Sequence, residues 1–286
     1  MKHETSIKNH ITRISPRKSW KDFRLAEVWR YRDLIVLFTK RGFQLSYKQT
    51  VLGPLWLILR PFFTSVVYAV VFGRIAGIQT PGVPALLFYL AGTAIWGFFS
   101  YGVTSNAFVF TANAALFGKV YFPRLTVPIS QILSALIHFL IQMSMVLVLL
   151  IYYCEVKQLQ PVFRAWILIP LVLLELGAMA MGLGIIISSL TTKYRDLSVL
   201  VGFGMNLWMF CTPIVYPYSQ VPDGWIRTAV MLNPVTPMVE LFRYALLGAG
   251  DLLPISCLYS LFFTVVVAFL GVLIFSRVER TFMDTV

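Results

Sequence analysis

Residues 125–153 read LTVPISQILSALIHFLIQMSMVLVLLIYY, and no Asp, Glu, Lys or Arg interrupts the chain between Arg124 and Glu155. As a helix rising 1.5 Å per residue, this stretch is roughly 43 Å long, more than the ~30 Å hydrocarbon core of a bilayer. It predicts a transmembrane helix, and the composition agrees. Of 286 residues, 58% are apolar and 13% charged, against about 25% charged in soluble domains. Mean hydropathy is +0.77. Long uncharged stretches must account for the deficit.

Searching on both sides for further runs of about 20 apolar residues gives six in all: Leu52 to Gly73, Val83 to Val109, Leu125 to Tyr153, Trp166 to Leu190, Leu197 to Tyr216 and Ile255 to Phe275. The predicted fold is an all-α polytopic membrane protein with six transmembrane helices. The first run contains Pro54, Arg60 and Pro61 and is expected to enter the bilayer kinked or obliquely. An even number of crossings puts both termini on one side. Eighteen of the 24 Lys and Arg fall in residues 1–50 and in the loops on that side, against five on the other, so both termini are expected to be cytoplasmic. The formal charge of +12 is assigned to loops facing anionic headgroups rather than to nucleic acid.

No cleavable signal peptide is expected, because the first fifty residues are polar and basic. They form a tail and a helix (residues 1–50) ahead of one membrane domain (51–286). Val28, Tyr31, Ile35, Phe38 and Leu45 fall on one helical stripe, while Arg30, Asp33, Lys40, Gln44 and Lys48 project elsewhere. That pattern suits an amphipathic helix in the membrane plane, or a plain basic anchor. Between the last two runs, Trp225 to Leu232 and Val235 to Leu247 are too short to cross and are separated by Asn233-Pro234. They are expected to form a re-entrant extracytoplasmic helical hairpin, with Thr236 as N-cap and Pro237 at the first helical position. A surface-lying amphipathic loop is the alternative.

Chemistry is sparse. There is no GxxxxGK[ST] phosphate loop, and His3, His10 and His138 are scattered. Cys154, Cys211 and Cys257 form neither a disulfide framework nor a metal motif. Catalytic residues and metal are therefore expected to be none, and ATP hydrolysis is not expected from this chain. Glu175 and His138, ionisable inside predicted spans, could form a proton relay or bond neighbouring helices. Ala178, Ala180, Gly182 and Gly184 place small residues at i and i+4 twice, as a gliding surface or as ordinary packing. Tyr89, Trp96, Phe99, Asn106 and Phe110 recur at heptad-like offsets, with Trp208 and Phe210 as a second set. Such rings could stack on sugars in a glycan channel or could simply be core.

Around the first run, Arg32-Asp33-Leu34, Lys40-Arg41, Tyr47 through Trp56 (YKQTVLGPLW) and Pro61 carry a strong resemblance. The chain resembles the membrane subunit of ABC-2 type exporters, in particular permeases for lipid-linked O-antigen, capsule or teichoic-acid polysaccharides. Gly118 through Arg124 (GKVYFPR), Tyr194-Arg195-Asp196, Asn233-Pro234 and Glu279 through Phe282 agree, so the likeness covers nearly the whole chain. The resemblance implies a bacterial cytoplasmic (inner) membrane protein that works as a dimer with two ABC ATPase subunits, which bind the ATP and Mg. Carried over by position, Lys119, Tyr121, Phe122, Pro123 and Arg124 would couple to the ATPase, with Tyr194, Arg195 and Asp196 as a second contact. Arg32, Lys40, Arg41 and Lys48 would ring the cytoplasmic mouth and attract the diphosphate of an undecaprenyl-linked glycan. Arg60 departs from the family pattern; it could meet that diphosphate or snorkel to membrane lipids. An ion-coupled secondary transporter built on Glu175 and His138 is the rival reading.

Overall fold

The computed structural model describes residues 25–48, 50–80, 82–117, 119–120, 122–157, 161–191, 194, 196–251 and 254–285, without the side chains of residues 25, 26, 157 and 278–285. Most of those residues are helical, and none is in a strand. The cytoplasmic-tail reading of residues 1–24 lies outside them.

Two helices, α1 (Leu25–Arg30) and α2 (Arg32–Tyr47), precede the apolar runs. A short 3-10 turn, Gly53–Leu55, with Pro54 in its first turn, leads into α3 (Trp56–Tyr68), which tolerates Pro61 and widens into a π-helix over Ala69–Ile75. The irregularity expected of the first run is thus present at both ends. Next come α4 (Ala85–Ala107), the short α5 (Val109–Ala112) and α6 (Ala114–Phe117), and the long α7 (Thr126–Lys157). A 3-10 turn, Phe163–Ile167, opens α8 (Leu168–Thr191). Then follow α9 (Leu197–Cys211), α10 (Trp225–Leu232), α11 (Thr236–Leu247) and α12 (Pro254–Thr285).

Among the described residues, five segments are long and apolar enough to cross a bilayer: Gly53–Ile75, Ala85–Ala107, Thr126–Val156, Phe163–Thr191 and Pro254–Arg277. They coincide with five of the six predicted runs to within a few residues. The other run forms only the 15-residue α9, about 22 Å long at 1.5 Å per residue. Its last five predicted residues leave the helix.

Helix α8 is the centre of the bundle because glycine lets two neighbours approach it from opposite sides. A Cβ on Gly182 would lie 2.8 Å from the Val267 carbonyl and 2.9 Å from the Ala268 backbone on α12, where Gly271 meets the Gly182 backbone equally closely. Two residues along, a Cβ on Gly184 would meet Asn106 Cβ at 2.4 Å and the Val103 carbonyl at 2.8 Å on α4. The two small-residue sets of α8 therefore serve different neighbours, as close-packed contact.

Helix α2 packs against α7. Its covered face is Val28 of α1, then Ile35 and Thr39, with Phe38 half-buried, while Tyr31 and Leu45 of the predicted stripe are exposed. Gly42 abuts Ser134, and the Ser134 hydroxyl donates to the Thr39 carbonyl at 3.4 Å. The contact selects small and hydroxylated residues at positions where the stripe predicts bulk.

Two short helices, α10 and α11, stand at the positions read for the hairpin, but Thr236 is not the N-cap. Thr236 lies inside α11, wholly buried, with no partner for its hydroxyl among the described residues. The N-cap position is Val235, with no side-chain cap, and Asn233 Oδ1 accepts the Val235 N–H at 3.1 Å within the turn. Nearly all of α11 is buried, whereas α10 exposes Trp225 and Leu232.

Replacing Gly182 with Leu should lower the unfolding free energy in detergent by about 1–3 kcal/mol through overpacking. The same change at Gly202 of α9, where a Cβ meets nothing within 4 Å, should leave the thermal midpoint unchanged. Equal midpoints for both variants in a thermal-shift measurement would contradict the crossing.

Candidate functional site

The most concentrated polar chemistry lies where the chain leaves α9 and returns through the hairpin. After Cys211 the backbone is no longer helical, and its carbonyls need donors. Arg243 of α11 supplies them: Nη1 donates to the Pro213 carbonyl and, at 3.2 Å, to Glu240 Oε1, while Nη2 donates to the Ile214 carbonyl at 2.8 Å. The guanidinium lies 3.8 Å from the centroid of the Phe88 ring on α4 and is fully buried. Gly92 makes room, because a Cβ there would come within 2.7 Å of Nη2. Glu240 completes the pair and accepts the Asp251 N–H at 3.2 Å through Oε2. Gly250 (φ +152°) passes so close that a Cβ would lie 2.6 Å from the Glu240 carbonyl.

The hairpin turn is held just as fully. Asn233 Nδ2 donates to Thr212 Oγ1 at 2.8 Å and to the Cys211 carbonyl at 3.3 Å, and Oδ1 accepts Trp208 Nε1 at 3.0 Å besides the Val235 N–H. All of the amide's bonding capacity is used. On the other side of the turn, the Ser260 hydroxyl of α12 lies 2.6 Å from the Pro234 carbonyl and 2.7 Å from Glu175 Oε1 of α8. Outside this network, hydrogen bonds to the Tyr218 hydroxyl and then to Asp223 hold the Arg227 guanidinium above its ordinary pKa.

Glu175 and His138 do not share a partner. Glu175 bonds Ser260, whereas the His138 ring sits 4.8 Å from Tyr101 and 5.7 Å from Phe43, with neither nitrogen hydrogen-bonded among the described residues.

The predicted aromatic ladder is core. Tyr89, Phe99, Asn106 and Phe110 are fully buried and Trp96 is nearly so. Trp96 and Phe99 pack on Trp208 at 6.4 and 5.3 Å, and Phe110 stacks on Phe275 at 5.0 Å. Phe210 alone of the seven is exposed, at 49%. The rings line no open path in this structure, because α8, α9 and α12 cover the face they share.

At the other end of the bundle, Phe110, Phe117, Phe122, Val127, Ile185 and Phe275 form a second core. Phe122 and Arg124 are expected to meet a partner, yet both are buried: Phe122 packs on Phe38 and Phe117, and Arg124 lies over the Phe117 ring and donates to its carbonyl at 3.5 Å. Lys119 is exposed and Pro123 partly so. Tyr194 is 50% exposed, and Asp196 caps α9 by accepting the Leu197 N–H at 3.1 Å. Tyr121 and Arg195 lie outside the described residues. Arg32, Lys40, Arg41, Lys48 and Arg60 are all exposed. No cluster of three or more His, Cys, Asp or Glu that could hold a metal occurs among the described residues.

A profile of the ABC-2 type transporter family matches residues 33–247, which takes in α2 through the whole hairpin. The chain belongs to the ABC-2 type transporter family. Among relatives of this ABC-2 chain, an O-antigen export system permease protein of Klebsiella pneumoniae is 30% identical over 88% of this chain and 94% of its own length. A Myxococcus xanthus protein of the same name is 28% identical over 76% and 81%. A polysialic acid transport protein of Escherichia coli is 24% identical over 82% and 89%.

Sequence reasoning missed the hub residues Arg243 and Glu240, and read Asn233 only as part of the Asn233-Pro234 break and motif. A signal was available: Glu240 and Arg243 are the only charges in the run Val235 to Leu247 and stand three residues apart, the spacing of a helical ion pair.

Removing the guanidinium strands a buried carboxylate and two carbonyls. Arg243→Met should therefore destabilise the protein by about 3–5 kcal/mol, and Arg243→Lys should fail to rescue it, since a single ammonium nitrogen on a shorter stem does not reproduce the two-nitrogen planar fork. Arg227→Ala should be neutral. Folded yield and thermal midpoint in detergent check this; a stable Arg243→Met protein would contradict it.

Proposed function

We propose that this chain is the permease subunit of an ATP-driven exporter that moves a lipid-linked polysaccharide of the O-antigen type across the bacterial cytoplasmic membrane. It would act as a homodimer with two ATPase subunits that hold the ATP and Mg. The observation that carries the reading is the likeness, over 88% of this chain, to proteins named O-antigen export permeases. The greater identity to these than to the polysialic acid transport proteins favours O-antigen over capsule.

Six crossings, with α9 as the fifth, and cytoplasmic termini agree with the distribution of Lys and Arg. Helix α9 is too short to cross alone, and the hairpin enters the outer leaflet beside it, where the Arg243 and Asn233 bonds replace absent water. The hairpin then serves as the outer closure of the path. Helix α2 lies along the inner interface: it exposes Val36 and Leu37, with Trp29 just ahead of it, beside Arg32, Lys40 and Arg41, which suits headgroups and a polyprenyl diphosphate. Lys48 extends this basic edge, and Arg60, exposed on the first span, reaches towards the same phosphates or towards lipid.

Coupling to the ATPase falls to the exposed positions Lys119, Tyr194 and Asp196 and the partly exposed Pro123, together with Tyr121 and Arg195. Phe122 and Arg124 hold that segment to the bundle instead of docking. Because the ladder on α4 is covered, the glycan path is assigned to the space between the two copies, where Phe210 is available as a stacking ring.

Combining Lys119→Glu with Tyr194→Ala should reduce co-purification of the ATPase and ATP-dependent export roughly tenfold, a loss of about 1.4 kcal/mol of docking free energy, while folded yield stays at wild type. Phe122→Ala should lower folded yield itself. Unchanged co-purification and export in the double variant would overturn the coupling assignment.

A further inference from the structure

Glu175, Ser260 and Pro234 pose a proton-counting problem. Three oxygens lie in a row: Ser260 Oγ is 2.7 Å from Glu175 Oε1 and 2.6 Å from the Pro234 carbonyl oxygen. Ser260 is fully buried, and Glu175 is 6% exposed in the middle of a membrane-crossing helix. Two O···O contacts this short each need a hydrogen, a hydroxyl carries one, and a carbonyl carries none.

If Glu175 were a carboxylate, Ser260 could satisfy only one neighbour. Donation to Glu175 would leave lone pairs of Ser260 and Pro234 facing each other at 2.6 Å, and donation to Pro234 would leave them facing the charge. The charge would also lack a counter-ion. No described Lys or Arg pairs with Glu175, and Arg243 is committed to Glu240 and two carbonyls. The Cys257 thiol, one turn before Ser260, is the other titratable group near it. A protonated acid resolves every contact: Glu175 O–H donates to Ser260 Oγ, and Ser260 O–H donates to the Pro234 carbonyl.

We propose that Glu175 is a neutral carboxylic acid whose proton completes a two-bond relay through Ser260 to Pro234, latching the α10–α11 turn to α8 and α12. Asn233 ties the same turn to α9, so each side of the Asn233-Pro234 turn is anchored to a different helix. Glu175 is a positioning residue of the hairpin and does not carry transported protons. Its consequence for export rests on the hairpin's closing the outer end of the path, as proposed above; its protonation state does not.

The test uses the assembled exporter in membranes, with native cysteines replaced and a cysteine introduced at the fully buried Val235. Infrared difference spectra of wild type minus Glu175→Gln should contain the carbonyl band of a protonated carboxylic acid. Gln can donate to Ser260 as the acid does, so Glu175→Gln should keep export within about twofold and keep position 235 protected from thiol reagents. Ser260→Ala and Glu175→Leu should raise labelling at 235 roughly tenfold, as expected for losing about one buried hydrogen bond, and should slow export. A missing carboxylic-acid band, or a Glu175→Gln protein that is folded yet fails to export, would overturn the latch and favour an ionising Glu175. If Glu175→Leu does not fold, Ser260→Ala and the spectrum still decide. The band and the labelling change with export unaffected would support the latch and count against the hairpin as closure.

Discussion

A helix broken inside hydrocarbon frees backbone groups that water cannot reach, and the protein has to supply their partners. Helix α9 ends at Cys211, the next four residues are buried inside the protein, and much of its polar chemistry gathers there. The guanidinium of Arg243 takes up the Pro213 and Ile214 carbonyls, and the Asn233 amide takes up that of Cys211. Each of these donors comes from the hairpin, so the hairpin's position and the end of α9 fix each other. Helix α8 carries the third anchor, through Glu175 and Ser260. It can sit close enough to both α4 and α12 only because Gly184 and Gly182 remove side chains from its opposite faces.

What could be read from the sequence follows from the range of the interactions involved. Transmembrane runs are set by the partition of each side chain between water and lipid, a property of the residues in the run. Five spans accordingly stand within a few residues of their predicted limits. The end of α9 depends instead on Arg243, 29 and 30 residues further along, and no window on Leu197 to Tyr216 contains that information. Thr236 has the composition of an N-cap, yet the helix starts with it, and Asn233 holds the Val235 N–H just ahead of it from the turn. Along α4 the heptad offsets group the rings on one face correctly, but periodicity does not say what covers a face. Here Trp208, Phe275 and the α8 backbone do. Phe122 and Arg124 show the same limit: the motif locates the segment, and the neighbouring phenylalanines decide which of its side chains turn inward.

The arrangement suits a subunit moved from outside. Exposed Lys119 and Tyr194 project from the end of the bundle that holds the second aromatic core, and the hairpin hub lies towards the other. The α4–α8–α12 stack joins the two, packed backbone to backbone through its glycines, and such stiff contacts carry a displacement along the bundle instead of absorbing it. On the proposed function, the exposed basic edge of α2 is where an anionic lipid carrier would gather before it enters.

The central claim is that this chain conducts a lipid-linked glycan only when a separate ATPase drives it. Vesicles reconstituted with the chain alone, and with the chain plus its ATPase subunit, can be loaded with lipid-linked O-antigen and assayed for glycan reaching the opposite face. Translocation that needs both the ATPase subunit and ATP, and is unaffected by collapsing a proton gradient, is the predicted result. Translocation by the chain alone driven by an imposed proton gradient would contradict it.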